Sequence, residues 1–276
     1  MILHFPQWQG IGFPSNVDAG AKRLFDAIDN KAGSASVPVA GKHDLTIENG
    51  VYGYGDVHDQ TKSALDILHA HKPRRVLTIG GDCGVEVAPA AYLNHLYGGD
   101  VQIFWFDAHA DINSPDTSFS AHFHGMPLAY LLGEAKGDAI TDMIERKITP
   151  GQIAFAGLRS IDPPEDDYIK DNNIGVYDFA SLHTAPKKYK HAIVHVDTDV
   201  LDARFYRECA TPTTRGVDPD TLIATLEKIF ATYDVVGGTI TEYAPGNAEN
   251  KKPDVAFPMI RDIFMRGLKA DDTFWV

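Results

Sequence analysis

Short, continuous apolar runs alternate along this chain with segments whose apolar residues recur every three or four positions. The runs at residues 1–5, 75–79, 101–106, 152–158, 192–196 and 235–240 have the length and composition of strands buried on both faces. Weaker strands are predicted at 44–48 and 175–177. Between these, Ala21, Leu24, Phe25 and Ile28 fall on one helical face, as do Ala64, Leu65 and Leu68, and a further helix is predicted over 85–96. The clearest helix follows Asp218-Pro219, where Leu222, Ile223, Leu226, Ile229 and Phe230 keep the helical period behind an Asp N-cap and a Pro at the first position. Short helices at 128–132 and 140–144 and a closing one at 257–268 complete the pattern. The alternation predicts an α/β fold with a mostly parallel central sheet covered on both faces and chemistry at the carboxyl ends of the strands. No linker, repeat or low-complexity stretch interrupts it, so residues 1–276 read as a single domain.

Polar residues intrude on this pattern at three strand ends. The run Val101-Gln-Ile-Phe-Trp-Phe breaks into Asp107-Ala-His109-Ala-Asp111. Side chains two apart on an extended backbone point the same way, so these three groups converge. Residues 192–196 lead likewise into Asp197-Thr-Asp199, and residues 75–79 into Gly80-Gly81-Asp82-Cys83. Four carboxylates from two strands would repel one another without a cation between them. A set rich in carboxylate and poor in imidazole suits a hard or borderline ion such as Mn²⁺ better than a structural zinc. Asp116 and Asp202 read as loop or cap carboxylates, and Gly80-Gly81 lacks the spacing of a dinucleotide-binding loop.

Composition narrows the function classes. A net charge of -13 argues against nucleic acid as a partner. Two cysteines, Cys83 and Cys209, are too few for a disulfide framework and point to a reducing compartment. No stretch approaches a membrane span, and the N-terminus has no secretory pattern. The expectation is a soluble, cytoplasmic protein acting on a small molecule.

The ordered motifs Gly80-Gly81-Asp82, Asp107-Ala-His109-Ala-Asp111, His124-Gly125-Met126-Pro127, Asp197-Thr-Asp199 and Glu242-Tyr-Ala-Pro245 resemble those of the ureohydrolases, the family of arginase, agmatinase and formimidoylglutamase. The resemblance spans nearly the whole chain. It implies a three-layer α/β/α fold, two Mn²⁺ per subunit, a small guanidino or amidino substrate and assembly into trimers or hexamers. Asp107 and Asp197 would bridge the metals, His109 and Asp199 would complete one site, and Asp111 would serve the other. One position departs from the pattern, because Cys83 stands where the family has a histidine ligand. A thiolate favours zinc, iron or cobalt over manganese relative to imidazole. The alternative is that Cys83 is a small packing residue and one metal is weak or missing. A branch resembling the Nω-hydroxyarginine hydrolase of cycloserine biosynthesis also carries Cys here, with a His before the Asp-x-Asp pair, as His195 is here. His195 itself reads as a core histidine bonded to a neighbour.

The resemblance implies hydrolysis of a guanidino C–N bond by a metal-bridging hydroxide, which Asp111 would orient. Glu242 would hold the guanidinium, and His124 would protonate the leaving amine. Asn113 and Ser120 match residues that receive an α-carboxylate in arginase, and Asp162 and Glu165 match those near the α-ammonium. These imply arginine or a close derivative such as Nω-hydroxyarginine. His122 replaces an asparagine of that pattern. Agmatine, another guanidino compound and formiminoglutamate remain as alternative substrates, and a metal-binding protein without catalysis as an alternative of another class.

Overall fold

Parallel pairing joins eight strands in the computed structural model, which describes residues 1–182, 187–246 and 256–268. In chain order the strands are β1 (Ile2–Phe5), β2 (Ser34–Ser36), β3 (Ile47–Glu48), β4 (Val51–Tyr52), β5 (Val76–Gly80), β6 (Val101–Phe106), β7 (Ile153–Ala156), β8 (Gly175–Tyr177), β9 (His191–Asp197) and β10 (Asp234–Thr241). The main sheet runs β2-β1-β5-β10-β9-β6-β7-β8, while β3 and β4 form a separate antiparallel hairpin.

Each buried strand feeds two cores. On β9, Ala192, Val194 and Val196 join a cluster with Leu24 of α1 (Val17–Asp26), Leu222 and Leu226 of α7 (Pro219–Thr232) and Phe264 of α8 (Ala256–Leu268). Ile193 points the other way, into a cluster with Val57 and Leu68 of α2 (Tyr54–His71), Leu93 of α3 (Val87–Leu96) and Tyr130 of α4 (Pro127–Leu132). Burial on both faces is why these strands read as unbroken apolar runs. Helix α7 begins as its sequence predicts, with the Asp218 side chain accepting from the Thr221 amide and Pro219 at the first turn.

The structure departs from the sequence reading in three places. Residues 44–48 are not a sheet strand; only Ile47–Glu48 is extended, and it turns back through Asn49-Gly50, both at positive φ, to pair with β4. The second strand of the sheet is instead Ser34–Ser36, whose small polar residues lie half-exposed at the sheet edge and carry no apolar signal. Helix α6 (Pro163–Asp171), which follows the short α5 (Ala139–Asp142), was not expected because it buries only Glu165 and Ile169. A capping box between Asp162 and Glu165 starts it. Among the described residues no helix is long and apolar enough to cross a membrane.

Candidate metal centre and active site

Strands β5, β10, β9 and β6 are neighbours in the sheet and their carboxyl ends meet at one place. β5 leads into Asp82 and Cys83, β10 into Glu242, β9 finishes at Asp197, and β6 leads into Asp107. The turn after β5 is tight: a Cβ on Gly81 would lie 1.8 Å from the Gln7 carbonyl oxygen.

The carboxylates, imidazoles and thiol form overlapping sets of donors. Asp107, His109 and Asp199 place ligand atoms within 4.8 Å of one another, as do Cys83, Asp107, Asp111 and His195, and Cys83, Asp197 and Glu242. In the first set His109 Nδ1 lies 2.9 Å from Asp199 Oδ2 and 3.5 Å from Asp107 Oδ1. The Asp199 side chain also accepts from Thr211 Oγ1 at 2.8 Å and from the Ala108 amide at 3.0 Å. On the other side, Cys83 Sγ lies 3.2 Å from both Asp197 Oδ2 and Thr241 Oγ1. His195 belongs to this side and not merely to the core. It pairs in register with Trp105 of β6, and the two rings stack at 3.6 Å with 6° between their planes. Its Nδ1 is 3.0 Å from Glu86 Oε2, and its Nε2, 3.4 Å from Thr241 Oγ1, faces the donor set.

The electrostatics ask for a cation. Asp107, Asp111, Asp197, Asp199 and Glu242 are all buried. Burial, reinforced by the neighbouring acids, raises the pKa of Asp107, Asp111 and Asp197, and pushes Glu242 up to about 8. Burial likewise drives the Cys83 thiol well above its ordinary value, with Asp197 adding to it. Asp199 alone moves down, because hydrogen bonds from His109, the Ala108 amide and Thr211 outweigh its burial. Buried polar oxygens nearly always find partners, yet Asp111 Oδ2 and Glu242 Oε2 have none. Crowded, buried acids with orphaned oxygens fit divalent ions, and the softer Cys83–His195 corner fits a borderline one.

Above these donors sits His124, in the turn Phe123–Gly125, with Nδ1 3.3 Å from Glu242 Oε1. Burial lowers its pKa. The four residues matched to an amino-acid head group are arranged unequally. Asn113 Nδ2 donates to Asp162 Oδ2 at 3.0 Å, so these two come together. Glu165 spends both oxygens on the backbone amides of Ile112 and Asp162, which fixes the Asp162 loop. Ser120 is exposed, and its hydroxyl is engaged by Ser118 and the His122 amide.

Sequence reasoning passed over the residues behind the donors. Trp105 Nε1 donates to Asp107 Oδ2 at 3.1 Å, Glu86 orients His195, and Thr211 and Thr241 hold Asp199 and Cys83. Trp105 had a signal, lying two residues before Asp107 on the same strand face. Thr211 had none. Asp111 and Glu242 also adopt left-handed backbone, with φ of 51° and 62°.

Comparison with known proteins agrees with this picture. The Arginase family profile matches residues 17–265. An arginase of Coccidioides immitis is 31% identical over 201 residues, 64% of this chain; the match spans only 61% of that relative's length. The crystal structure of Entamoeba histolytica arginase in complex with L-ornithine superposes with a TM-score of 0.81 at 23% identity, covering 95% of this chain and 96% of that one. Formimidoylglutamase from Bacillus subtilis superposes at 0.72 and 17% identity, covering 97% and 85%. With its family profile matched over most of its length and the donor-bearing strand ends in the expected order, the chain belongs to the arginase, or ureohydrolase, family.

Proposed function

We propose that the protein is a metal-dependent amidinohydrolase that cleaves the guanidino C–N bond of arginine or a close derivative such as Nω-hydroxyarginine, releasing urea or hydroxyurea with ornithine. One observation carries the reading: the partnerless Glu242 Oε2 stands beside both His124 and a donor set built for cations. In this reading Asp107, His109, Asp111, Asp197, Asp199 and Cys83 hold two divalent ions, Mn²⁺ by the preference of the carboxylates, with another metal accessible at the thiol. Such ions, when bound, make water nucleophilic at neutral pH.

The remaining work falls to the chain itself. Glu242 receives the guanidinium through a charge-assisted contact and sets the orientation of its carbon. Asp111, with an unpartnered Oδ2 within the donor set, orients the attacking water. His124, held against Glu242, delivers a proton to the departing nitrogen. Asp162 and Asn113 meet the amino-acid head, and Glu165 positions their loop. Neither Cys83 nor Cys209 is in a disulfide, which supports a reducing, cytoplasmic setting.

A second reading has its own support. Asn113 and Asp162 already bond to each other, and the Ser120 hydroxyl is engaged, so a substrate with another head group, such as agmatine or formiminoglutamate, would leave those contacts intact. Manganese-loaded protein incubated with arginine, Nω-hydroxyarginine, agmatine and formiminoglutamate separates the readings by which product appears. Arginine-derived urea is expected. Failure to release urea or any other amidine-derived product from the whole panel would leave a metal-binding protein without catalysis.

A further inference from the structure

A cavity of about 650 Å³ opens beside the catalytic corner, lined by Trp8, Phe13, Leu45 and Tyr52, with Lys42 and His43 among its other walls. Its size falls within the roughly 300–1,000 Å³ typical of small-molecule sites. We propose that this cavity is a second substrate pocket, which takes an uncharged, ring-bearing group attached through a short linker to the guanidino compound. The inference rests on the amidinohydrolase reading and adds the class of substrate.

The connection to the reacting end runs through aromatic rings. Phe13, in the cavity wall, meets the His124 ring edge-on at 6.3 Å and the His122 ring at 5.7 Å. Tyr52, also in the wall, meets His122 edge-on at 5.6 Å. His122 and His124 are themselves 5.9 Å apart. The walls are fixed from both sides. The Tyr52 amide donates to the Ala121 carbonyl at 2.8 Å, tying the β3–β4 hairpin to the loop that carries His122. Gly12 has φ of 68°, and a Cβ there would lie 2.2 Å from the His122 ring, so the Phe13 loop presses directly onto that histidine.

The chemistry of the walls selects the occupant. Trp8 is nearly buried, its indole N–H is taken by the Ala40 carbonyl, and Lys42 and His43 pack on its ring. It therefore closes the back of the cavity, while Phe13 and Tyr52 supply its open aromatic walls. The nearby cations have acidic partners: Lys42 pairs with Asp18 at 3.1 Å while standing over Trp8, and His43 pairs with Asp56 at 3.0 Å. A terminal carboxylate would therefore compete with existing pairs. An ammonium would compete with Lys42 for the face of Trp8 and with His43 for Asp44, the carboxylate in the wall. A neutral ring meets neither obstacle and gains stacking against Phe13 and Tyr52.

Calorimetry on the manganese-loaded full chain tests this with 2-phenylethylguanidine against n-propylguanidine. The phenyl compound is expected to bind about tenfold or more tightly, the scale for an apolar group of this size in a fitted pocket. Tyr52→Ala should erase most of that difference and Tyr52→Phe restore it. Equal binding of the two compounds, a difference untouched by Tyr52→Ala, or tighter binding of 4-(guanidinomethyl)benzoate or 4-(guanidinomethyl)benzylamine than of the phenyl compound would each overturn the proposal. Arginine turnover, read on the same preparation, reports separately on the amidinohydrolase reading.

Discussion

The two halves of the donor set are built by opposite means. The Asp107–His109–Asp199 half draws on two segments: alternate residues after β6, closed by Asp199 after β9, its neighbour in the sheet. It carries its own positive partner, for although burial opposes its charge, hydrogen bonds to Asp107 and Asp199 hold His109 far above the ordinary histidine range. The Cys83–Asp111–His195 half draws on three separate segments and a buried Glu86, and its orphaned Asp111 oxygen has no partner. The first half can therefore keep its shape with a proton in place of a metal. The second depends more on its occupant. Ligand softness and counter-charge divide along the same line.

The strongest way to break this contrast is Asp107→Ala, which removes a carboxylate common to both halves. Both ions should be lost, along with all urea release; elemental analysis that still found two metals per chain would show the halves to be independent of it. His124→Ala comes next, because it spares both halves and removes only the proposed proton donor. Turnover should fall by about 10²–10⁴-fold with metal content unchanged. Coupled loss of metal and rate would assign His124 a structural role instead.

The contrast is sharpened by Cys83→Ala and Cys83→His. The first should weaken one metal by roughly 10–100-fold, the scale of perturbed metal shells, and leave the other bound. The second should raise manganese retention during dialysis. Metal stoichiometry indifferent to both changes would mean that the thiol only packs.

The smallest effect concerns the metal-free protein and pH. Glu242 titrates near 8 in the folded chain against 4.5 for an ordinary glutamate, so between those values the folded state holds more protons than the unfolded one. Stability must then fall as pH rises through that window. Asp107, Asp111 and Asp197 shift in the same direction. Melting of the metal-free protein should drop by several degrees from pH 5 to pH 8, about 2–4 °C for each kcal/mol in a domain near this size. Added Mn²⁺ should restore the loss. A melting temperature rising with pH in the chelated protein would contradict the charge excess.

The sheet and its reactive strand ends were legible because both rest on local pattern. Strands β5, β6, β9 and β10 show as apolar runs, and Asp107, His109 and Asp111 stand out as polar residues at the end of one of them. Their convergence does not come from extended alternation, because β6 ends at Phe106, Asp111 turns left-handed, and His109 and Asp111 enter different donor sets. What escaped lacks such a pattern. The edge strand Ser34–Ser36 buries too little to carry one, and α6 has a cap but hardly a stripe. His195 is the buried histidine bonded to a neighbour that its sequence suggests, through Nδ1 to Glu86. That its Nε2 also reaches Thr241 Oγ1 and the donor set depends on neighbours across strands, which no local pattern shows. The link between the Phe13 loop, the β3–β4 hairpin and His122 joins segments far apart in sequence, beyond the reach of any local period.

The left-handed backbone at Asp111 and Glu242 sets a boundary on how far this protein could be hardened against heat. Each such residue holds on the order of 1–3 kcal/mol of conformational strain that a glycine would relieve. Glycine at either place would also delete one of the acids with an unclaimed oxygen. A search for thermostable variants should therefore recover Asp111→Gly or Glu242→Gly as gains when selection is for folding alone, and lose both as soon as turnover is selected.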